Sequence, residues 1–130
     1  MIGILILAHA PVASAFLTVV HHVYKGEQKY LEAIDVQPDQ NTDEVIKLAR
    51  QAIGRLNSGT GVLVLTDVLG ATPANCSQKL DVPGQVAVLA GLSLPMLLRA
   101  LTYRTGKLEM VIEMAQSGAQ SGAVRVRPEL

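Results

Sequence analysis

Short unbroken runs of aliphatic residues alternate along the chain with longer segments in which apolar positions recur every three or four residues. Unbroken runs are typical of strands that are buried on both faces of a parallel sheet, and the longer spacing is typical of amphipathic helices. The pattern predicts strands over 2–7, 30–36, 61–66 and 85–90, and helices over 12–24, 42–56, 72–80, 96–103 and 107–119.

Strands that alternate with helices predict an α/β fold with an open parallel sheet and helices on both faces. The chain shows no internal repeat, low-complexity segment or linker, so residues 1–130 are expected to form one domain. At the end of the chain, 124–127 alternates apolar and charged residues, which predicts a short edge strand.

Helix boundaries carry recognisable signals. The segment 41–44 has the pattern of an N-cap with Glu three residues later, and Thr72-Pro73 fits an N-cap followed by the first helical residue. Pro11 can open the first helix and Gly26 suits its end. The side of that helix expected to pack carries Phe16, Val19, Val20 and Val23.

Composition narrows the class of protein. Hydrophobic residues make up 49% of the chain and aromatic residues only 3%, which predicts an aliphatic core. Lys and Arg together number 11, as do Asp and Glu, so the chain lacks the basic footprint of a nucleic-acid-binding protein. A single cysteine, Cys76, excludes an intramolecular disulfide and fits a reducing compartment.

Targeting signals are absent from the sequence pattern. The apolar N-terminus has no positively charged region and is interrupted by His9, so we interpret it as a buried strand rather than a signal peptide. No apolar run is long enough to cross a bilayer. We therefore expect a cytoplasmic protein.

Two predicted strands end at residues that can perform chemistry. Strand one ends at His9 and strand three ends at Asp67. In an open parallel sheet, ligands bind beyond the carboxyl ends of the strands, so the two side chains would face each other if the strands are neighbours. A carboxylate that accepts a proton from one imidazole nitrogen leaves the other nitrogen as a nucleophile.

The loop after strand three adds an anion-binding element. Gly70, Ala71 and Thr72 lead into a predicted helix, where free N–H groups and the Thr72 hydroxyl can bind phosphate. Alone, a histidine after a strand is more often structural, Thr72-Pro73 is most often a helix start, and Asp67 could equally well cap a loop. Together, a nucleophilic histidine, an orienting aspartate and an anion cradle predict a histidine that accepts a phosphoryl group, with no metal or cofactor required.

Other candidates are weaker. His21 and His22 lie on the first predicted helix without metal-ligand spacing, and Cys76 falls inside the third predicted helix, where it is expected to pack as a small apolar residue. No nucleotide-binding glycine motif is present. Arg99 and Arg104 are expected to be solvated, or to lie at the rim of the site.

Three sequence blocks resemble one family. The three blocks are similar, in order and spacing, to sequence blocks of the IIA component of the mannose family of the phosphoenolpyruvate:sugar phosphotransferase system (PTS). They are GILILAHAPVASAF, VLVLTDVLGATPAN and VLAGLSLPMLLRAL. The resemblance covers nearly the whole chain. It departs at Ala10, Ala71 and Ser93, where the family commonly has Gly, Gly and Asn. Ala10 narrows the backbone freedom beside His9, but no reacting group is lost.

The resemblance implies a sheet of four parallel strands in the order 2-1-3-4, plus a short antiparallel strand for which 124–127 is the candidate. It also implies a homodimer, in which some members exchange that last strand between subunits. It implies that His9 accepts a phosphoryl group from phospho-HPr and passes it to a IIB component, which alone connects it to the membrane components IIC and IID. Asp67 matches the residue that bonds the histidine, and Thr72 stands where the family often has Ser.

Two alternatives keep the fold. One is a regulatory phosphoprotein that transports no sugar. The other is the phosphoryl-donor subunit of a dihydroxyacetone kinase system, although that subgroup usually carries a different loop after strand three. A small-molecule-binding domain with an inert His9 is a third interpretation. The sequence does not identify the sugar.

Overall fold

The computed structural model describes residues 1–68 and 71–129. In this part of the chain, strands and helices alternate until the last two helices follow one another. In chain order the elements are β1 (Gly3–His9), α1 (Val12–Val23), β2 (Leu31–Val36), α2 (Thr42–Leu56), β3 (Val62–Leu65), α3 (Thr72–Gln78), β4 (Val86–Leu89), α4 (Leu94–Tyr103) and α5 (Leu108–Gly122).

The strands form one open sheet in the order β2-β1-β3-β4, and all three strand pairs are parallel. Ile4 of β1 pairs with Leu31 on one side and with Leu63 on the other. The order and the parallel direction confirm the prediction. Because the strands are parallel, their carboxyl ends share one edge of the sheet and their amino ends share the opposite edge.

Helices cover both faces of the sheet, which explains why the strands are aliphatic throughout. Ile4, Ile6 and Ala8 of β1 belong to a core shared with α1, α4 and α5. Leu5 and Leu7 of the same strand belong to a second core shared with α2 and α3. Successive residues of β1 therefore alternate between the two cores, and the side chains from Ile4 to Ala8 are all buried.

The prediction of the packed side of α1 is partly wrong. Val20 is buried and Phe16 packs against the core, but Val19 and Val23 are 37% and 52% exposed. A helix turns by about 100° per residue, so Val19 lies about 100° away from the buried Val20. Val23 lies on the same side of the helix as Phe16, but it is the last residue of α1.

The predicted N-caps of α2 and α3 can be compared with the structure. Asn41 caps α2 as predicted: its side-chain oxygen accepts hydrogen bonds from the N–H groups of Asp43 (2.8 Å) and Glu44 (3.3 Å). The prediction of Thr72 as the cap of α3 is wrong by one residue. Ala71 has the extended backbone of an N-cap, and its carbonyl accepts the N–H of Asn75, so Thr72 is already helical.

The predicted edge strand over 124–127 does not form within this chain. Helix α5 continues to Gly122, beside Pro95, and residues 123–129 form no strand. Val124 and Val126 are 71% and 91% exposed. A strand requires a main-chain partner, and the segment meets none in the part of the chain that the structure describes. Pairing of this segment with a partner subunit, which the family resemblance implies for some members, stays a prediction.

Candidate functional site

His9 is the last residue of β1 and stands at the carboxyl edge of the sheet. It pairs in register with Val36, the last residue of β2, and the N–H of Ala10 donates to the carbonyl of Val36 at 3.0 Å. The backbone around His9 is thus fixed by sheet hydrogen bonds, while its side chain is 50% exposed. The imidazole is held by a rigid element but stays open to solvent.

Asp67 binds His9 through both its ring and its backbone. The Oδ2 atom of Asp67 lies 2.8 Å from Nδ1 of His9 and accepts the His9 N–H at 3.1 Å. Its Oδ1 atom accepts the N–H of Val68 at 2.9 Å. Because β1 and β3 are neighbours in the sheet, the two residues meet as the sequence predicted.

This contact assigns the tautomer of the imidazole. An ionised carboxylate only accepts hydrogen bonds, so Nδ1 of His9 carries the hydrogen. The lone pair of Nε2 is then free on the other side of the ring. In the neutral form of the imidazole, the available nitrogen is therefore Nε2.

The environment of Asp67 favours its ionised form. Burial alone would raise the pKa of Asp67, since its side chain is only 14% exposed. The hydrogen bonds from the His9 ring, the His9 N–H and the Val68 N–H outweigh burial and hold the pKa of Asp67 below its ordinary value. The carboxylate is thus charged over the physiological range and can accept the Nδ1 hydrogen.

A cavity of about 290 Å³ opens at His9. Its walls come from the ends of β1 and β2 and from the start of α3; the lining residues are His9, Ala10, Val36, Gln37, Pro38 and Thr72. Residues 36–38 were not among the predicted site residues, although β2 neighbours β1 and ligands bind beyond the carboxyl ends of parallel strands. A larger groove of about 570 Å³ between α2 and the end of α3 contains none of the predicted site residues.

The predicted phosphate-binding residues are partly described. Thr72 is exposed and lines the cavity together with His9, and Ala71 precedes it as the N-cap of α3. Gly70 lies outside the described residues. Thr72 is therefore the predicted phosphate contact that shares a cavity with the imidazole.

The remaining candidates lie elsewhere or are packed. Cys76 is buried, and burial raises the pKa of its thiol, as expected for a packing residue rather than a nucleophile. The expectation that Arg104 is solvated or rims the site is wrong. It is 5% exposed and lies at the amino edge, where its carbonyl accepts the Ile2 N–H and its guanidinium donates to the Tyr30 carbonyl. That burial lowers the pKa of Arg104.

Across residues 1–68 and 71–129, no group of three His, Cys, Asp or Glu side chains could hold a metal ion. None of the helices in this part of the chain has the length and apolar character needed to span a bilayer.

The fold and the site define an α/β protein with an exposed, aspartate-oriented histidine at the carboxyl edge of a parallel sheet. The chain belongs to the mannose-type EIIA family of the PTS: the family model described as "PTS system fructose IIA component" matches residues 3–116. IIA components of this system take part in phosphoryl transfer. The match confirms the resemblance and does not favour the dihydroxyacetone kinase alternative.

Individual relatives also belong to the PTS. The chain is 32% identical over 80 residues to the PTS system mannose-specific EIIAB component of Escherichia coli K12; those residues are 61% of this chain and 25% of that protein. The chain thus spans about a quarter of the curated relatives that it matches.

Solved structures share the fold. PTS component EIIA from Streptococcus agalactiae has a TM-score of 0.85 at 28% identity, covering 96% of this chain and 97% of that one. The PTS IIA protein associated with the fucose utilization operon of Streptococcus pneumoniae has a TM-score of 0.73 at 27% identity, covering 88% of each chain. The mannose/sorbose-specific IIA subunit from Enterococcus faecalis, at 22% identity and a TM-score of 0.82, covers 99% and 98% and supports the fold alone.

Proposed function

We propose that this protein is a phosphocarrier of the PTS, which accepts a phosphoryl group from phospho-HPr on Nε2 of His9 and passes it to a IIB component. The observation that carries the proposal is the 2.8 Å contact between Nδ1 of His9 and Oδ2 of Asp67 on a ring that is half exposed. This contact orients the imidazole and leaves its second nitrogen open to a partner.

The transfer exchanges one P–N bond for another. The Nε2 lone pair of His9 attacks the phosphorus atom, the P–N bond to the donor imidazole breaks, and the donor nitrogen takes back its electron pair. The His9 ring gains positive charge during this step, and the ionised Asp67 stabilises that charge through the Nδ1 hydrogen. The same steps in reverse deliver the phosphoryl group to the IIB component.

Stabilisation of the phosphoryl oxygens is assigned to the start of α3. Thr72 lines the same cavity as His9, which supports its hydroxyl as a donor to the phosphoryl group. We extend the assignment to the backbone at Gly70 and Ala71 on the family resemblance. Positioning and hydrogen bonds suffice for this reaction, so the proposal includes no metal or cofactor.

The cellular setting belongs to the same proposal. We place the protein in the cytoplasm, as one IIA domain over residues 1–130 that forms a homodimer. HPr and a IIB component are its direct partners, and the membrane components IIC and IID are reached only through IIB. The cavity at His9 supports this role, because a partner must bring its own histidine to the Nε2 atom.

Phosphorylation in a reconstituted system tests the proposal. Wild type, His9→Ala and His22→Ala proteins are incubated with enzyme I, HPr and labelled phosphoenolpyruvate. His22 is an exposed histidine of α1 and serves as the matched control. We expect acid-labile, base-stable label on wild type and His22→Ala and none on His9→Ala. Label on His9→Ala, or none on wild type while HPr is fully phosphorylated, would refute the proposal.

A further inference from the structure

A second carboxylate lies close to the His9 backbone but outside its cavity. Asp35 of β2 pairs in register with Ala8, the residue before His9. Its side chain contacts Ser14 of α1 through both oxygens. Oδ1 accepts the Ser14 N–H at 3.0 Å, and Oδ2 accepts the Ser14 hydroxyl at 2.6 Å.

This contact supplies what the first turn of α1 lacks. The N-cap of α1 is Pro11, whose side chain has no oxygen, and its first turn contains no acidic residue. Ser14 is the third helical residue, whose N–H normally binds a capping side chain. Asp35 provides that acceptor from the neighbouring strand and places a negative charge at the positive end of the helix.

The pair of hydrogen bonds between Asp35 and Ser14, which we call the clamp, is connected to His9 by a very short piece of chain. Only Ala10 and Pro11 separate β1 from α1. The N–H of Ala10 binds the carbonyl of Val36, and Asp67 binds His9. Ala10 and Pro11 form a corner between β1 and α1. The clamp attaches the first turn of α1, on the helical side of this corner, to the sheet, so it fixes the direction in which the chain leaves His9.

We propose that Asp35 is a positioning residue for phosphoryl transfer, which acts through Ser14 to hold the first turn of α1 and thereby the His9 imidazole. The inference rests on the proposed function of His9. Asp35 does not line the His9 cavity, so it acts on the placement of the nucleophile and not on the phosphoryl group.

Removing the carboxylate should slow transfer without weakening partner binding. A reacting group displaced by about 1 Å can lose about 100-fold in rate, and a loosened corner gives a smaller displacement. For Asp35→Ala we expect kcat with phospho-HPr to fall about tenfold. The KM for phospho-HPr should stay at the wild-type value, because Asp35 is outside the cavity that receives the partner.

A conservative variant separates position from charge. In Asp35→Asn, Oδ1 still accepts the Ser14 N–H, and the new amide donates to the Ser14 hydroxyl. That hydroxyl then donates to the Pro11 carbonyl, which is already 3.2 Å away. The clamp survives without its charge, so kcat should return to within about twofold of wild type.

A spectroscopic measurement follows the same clamp without any turnover. The hydrogen bonds from His9 help to keep the pKa of Asp67 low. If the corner loosens, those bonds weaken and the pKa of Asp67 rises toward its ordinary value. Carboxyl titration by NMR should show this rise in Asp35→Ala and not in Asp35→Asn.

The matched control removes a cap of similar type elsewhere. Asn41→Ala deletes the cap of α2, which binds Asp43 and Glu44. We expect it to lower the melting temperature as Asp35→Ala does, but to keep the wild-type kcat and the low pKa of Asp67. A loss of kcat in Asn41→Ala equal to that in Asp35→Ala would show that lost stability alone slows transfer, and would overturn the inference.

The remaining outcomes are distinct from failure of the proposed function. Wild-type kcat and wild-type Asp67 pKa in Asp35→Ala overturn the positioning role while labelling of wild type continues. If Asp35→Ala does not fold, Ser14→Ala decides: it keeps the backbone bond and loses the hydroxyl bond, so a kcat about threefold lower supports the inference and an unchanged kcat overturns it. Absence of label on wild type refutes the phosphocarrier proposal itself.

Discussion

The two edges of the sheet are built from the same strands but use hydrogen bonds in opposite ways. At the amino edge, polar groups close the structure: the Ile2 N–H donates to the Arg104 carbonyl at 2.7 Å, the Gly3 N–H donates to the Gly61 carbonyl at 3.1 Å, and the Arg104 side chain is buried. At the carboxyl edge, Asp67 holds an imidazole that remains 50% exposed.

The difference separates stability from chemistry. Groups at the amino edge are removed from water and have partners in the protein, so changing them should cost folding free energy and leave the reaction intact. Groups at the carboxyl edge hold one side chain available to a partner, so changing them should cost rate and little stability. Substitutions at the two edges therefore test this contrast from both sides.

The largest effect on stability is expected at Gly3. A Cβ at this position would overlap the carbonyl oxygen of Leu56 and lie 2.8 Å from its Cβ, so the end of α2 would have to move. We expect Gly3→Ala to lower the free energy of unfolding in urea by about 3 kcal/mol. Gly54→Ala is the control, because nothing lies within 4 Å of its added Cβ and alanine favours the helix.

The Gly3→Ala protein should still transfer phosphoryl groups at a temperature where it remains folded. A loss of kcat in the folded protein as large as that of an Asp67 variant would contradict the separation of the two edges. Gly54→Ala should be as stable as wild type, or more stable.

The largest effect on rate short of removing His9 is expected at Asp67. Without its carboxylate, the imidazole loses both its orientation and the charge that stabilises the ring during transfer. We expect Asp67→Ala to slow phosphorylation by phospho-HPr about 100-fold, the range of a single group that acts on proton placement. Asp81, an exposed aspartate in the turn before β4, gives the control variant Asp81→Ala, which should match wild type. A rate within about threefold of wild type for Asp67→Ala would contradict the assignment of its role.

Stability should also depend on pH through Asp67. The pKa of Asp67 is lowered in the folded protein, while in the unfolded chain it is about 3.9. The carboxylate therefore stabilises the fold fully above that value, and the contribution is lost as pH falls through the lower folded pKa. The stability of wild type relative to Asp67→Asn should shrink between pH 5 and the lowest pH at which both proteins fold. A difference that stays constant over that range would exclude the lowered pKa.

The smallest effect is expected at Thr66, the residue before Asp67. Its hydroxyl oxygen is buried and has no hydrogen-bond partner among residues 1–68 and 71–129. Valine has nearly the same shape without the polar atom, so Thr66→Val should leave the free energy of unfolding unchanged or raise it by up to about 1 kcal/mol. Thr102→Val, which removes a hydroxyl bonded to the Leu98 carbonyl, should bring no gain. A loss above about 1 kcal/mol in Thr66→Val would show that the hydroxyl has a partner.

Much of the fold could be predicted because burial on both faces leaves a clear pattern in the sequence. The unbroken run in β1 predicted a central parallel strand, and the rule for strand ends brought His9 and Asp67 together. The edge strand over 124–127 does not form within this chain, because a strand depends on a main-chain partner, which the sequence of the segment does not contain.

Contacts between polar residues that are far apart in the sequence were the hardest features to predict. Nothing in the pattern indicated that Asp35 would meet Ser14, or that Arg104 would be buried against the Tyr30 carbonyl. Both contacts depend on how α1 and α4 are placed on the sheet. Polar residues far apart in sequence can be paired only after that placement is known.

The ring nitrogen that carries the phosphoryl group tests the central claim most directly. Protein with ¹⁵N-labelled histidine is phosphorylated by phospho-HPr, and ³¹P and ¹⁵N NMR identify the modified atom. Because Nδ1 of His9 donates to Asp67, the account requires the phosphoryl group on Nε2. A phosphoryl group on Nδ1 of His9 would contradict the account, because that nitrogen would have to leave Asp67 in order to react.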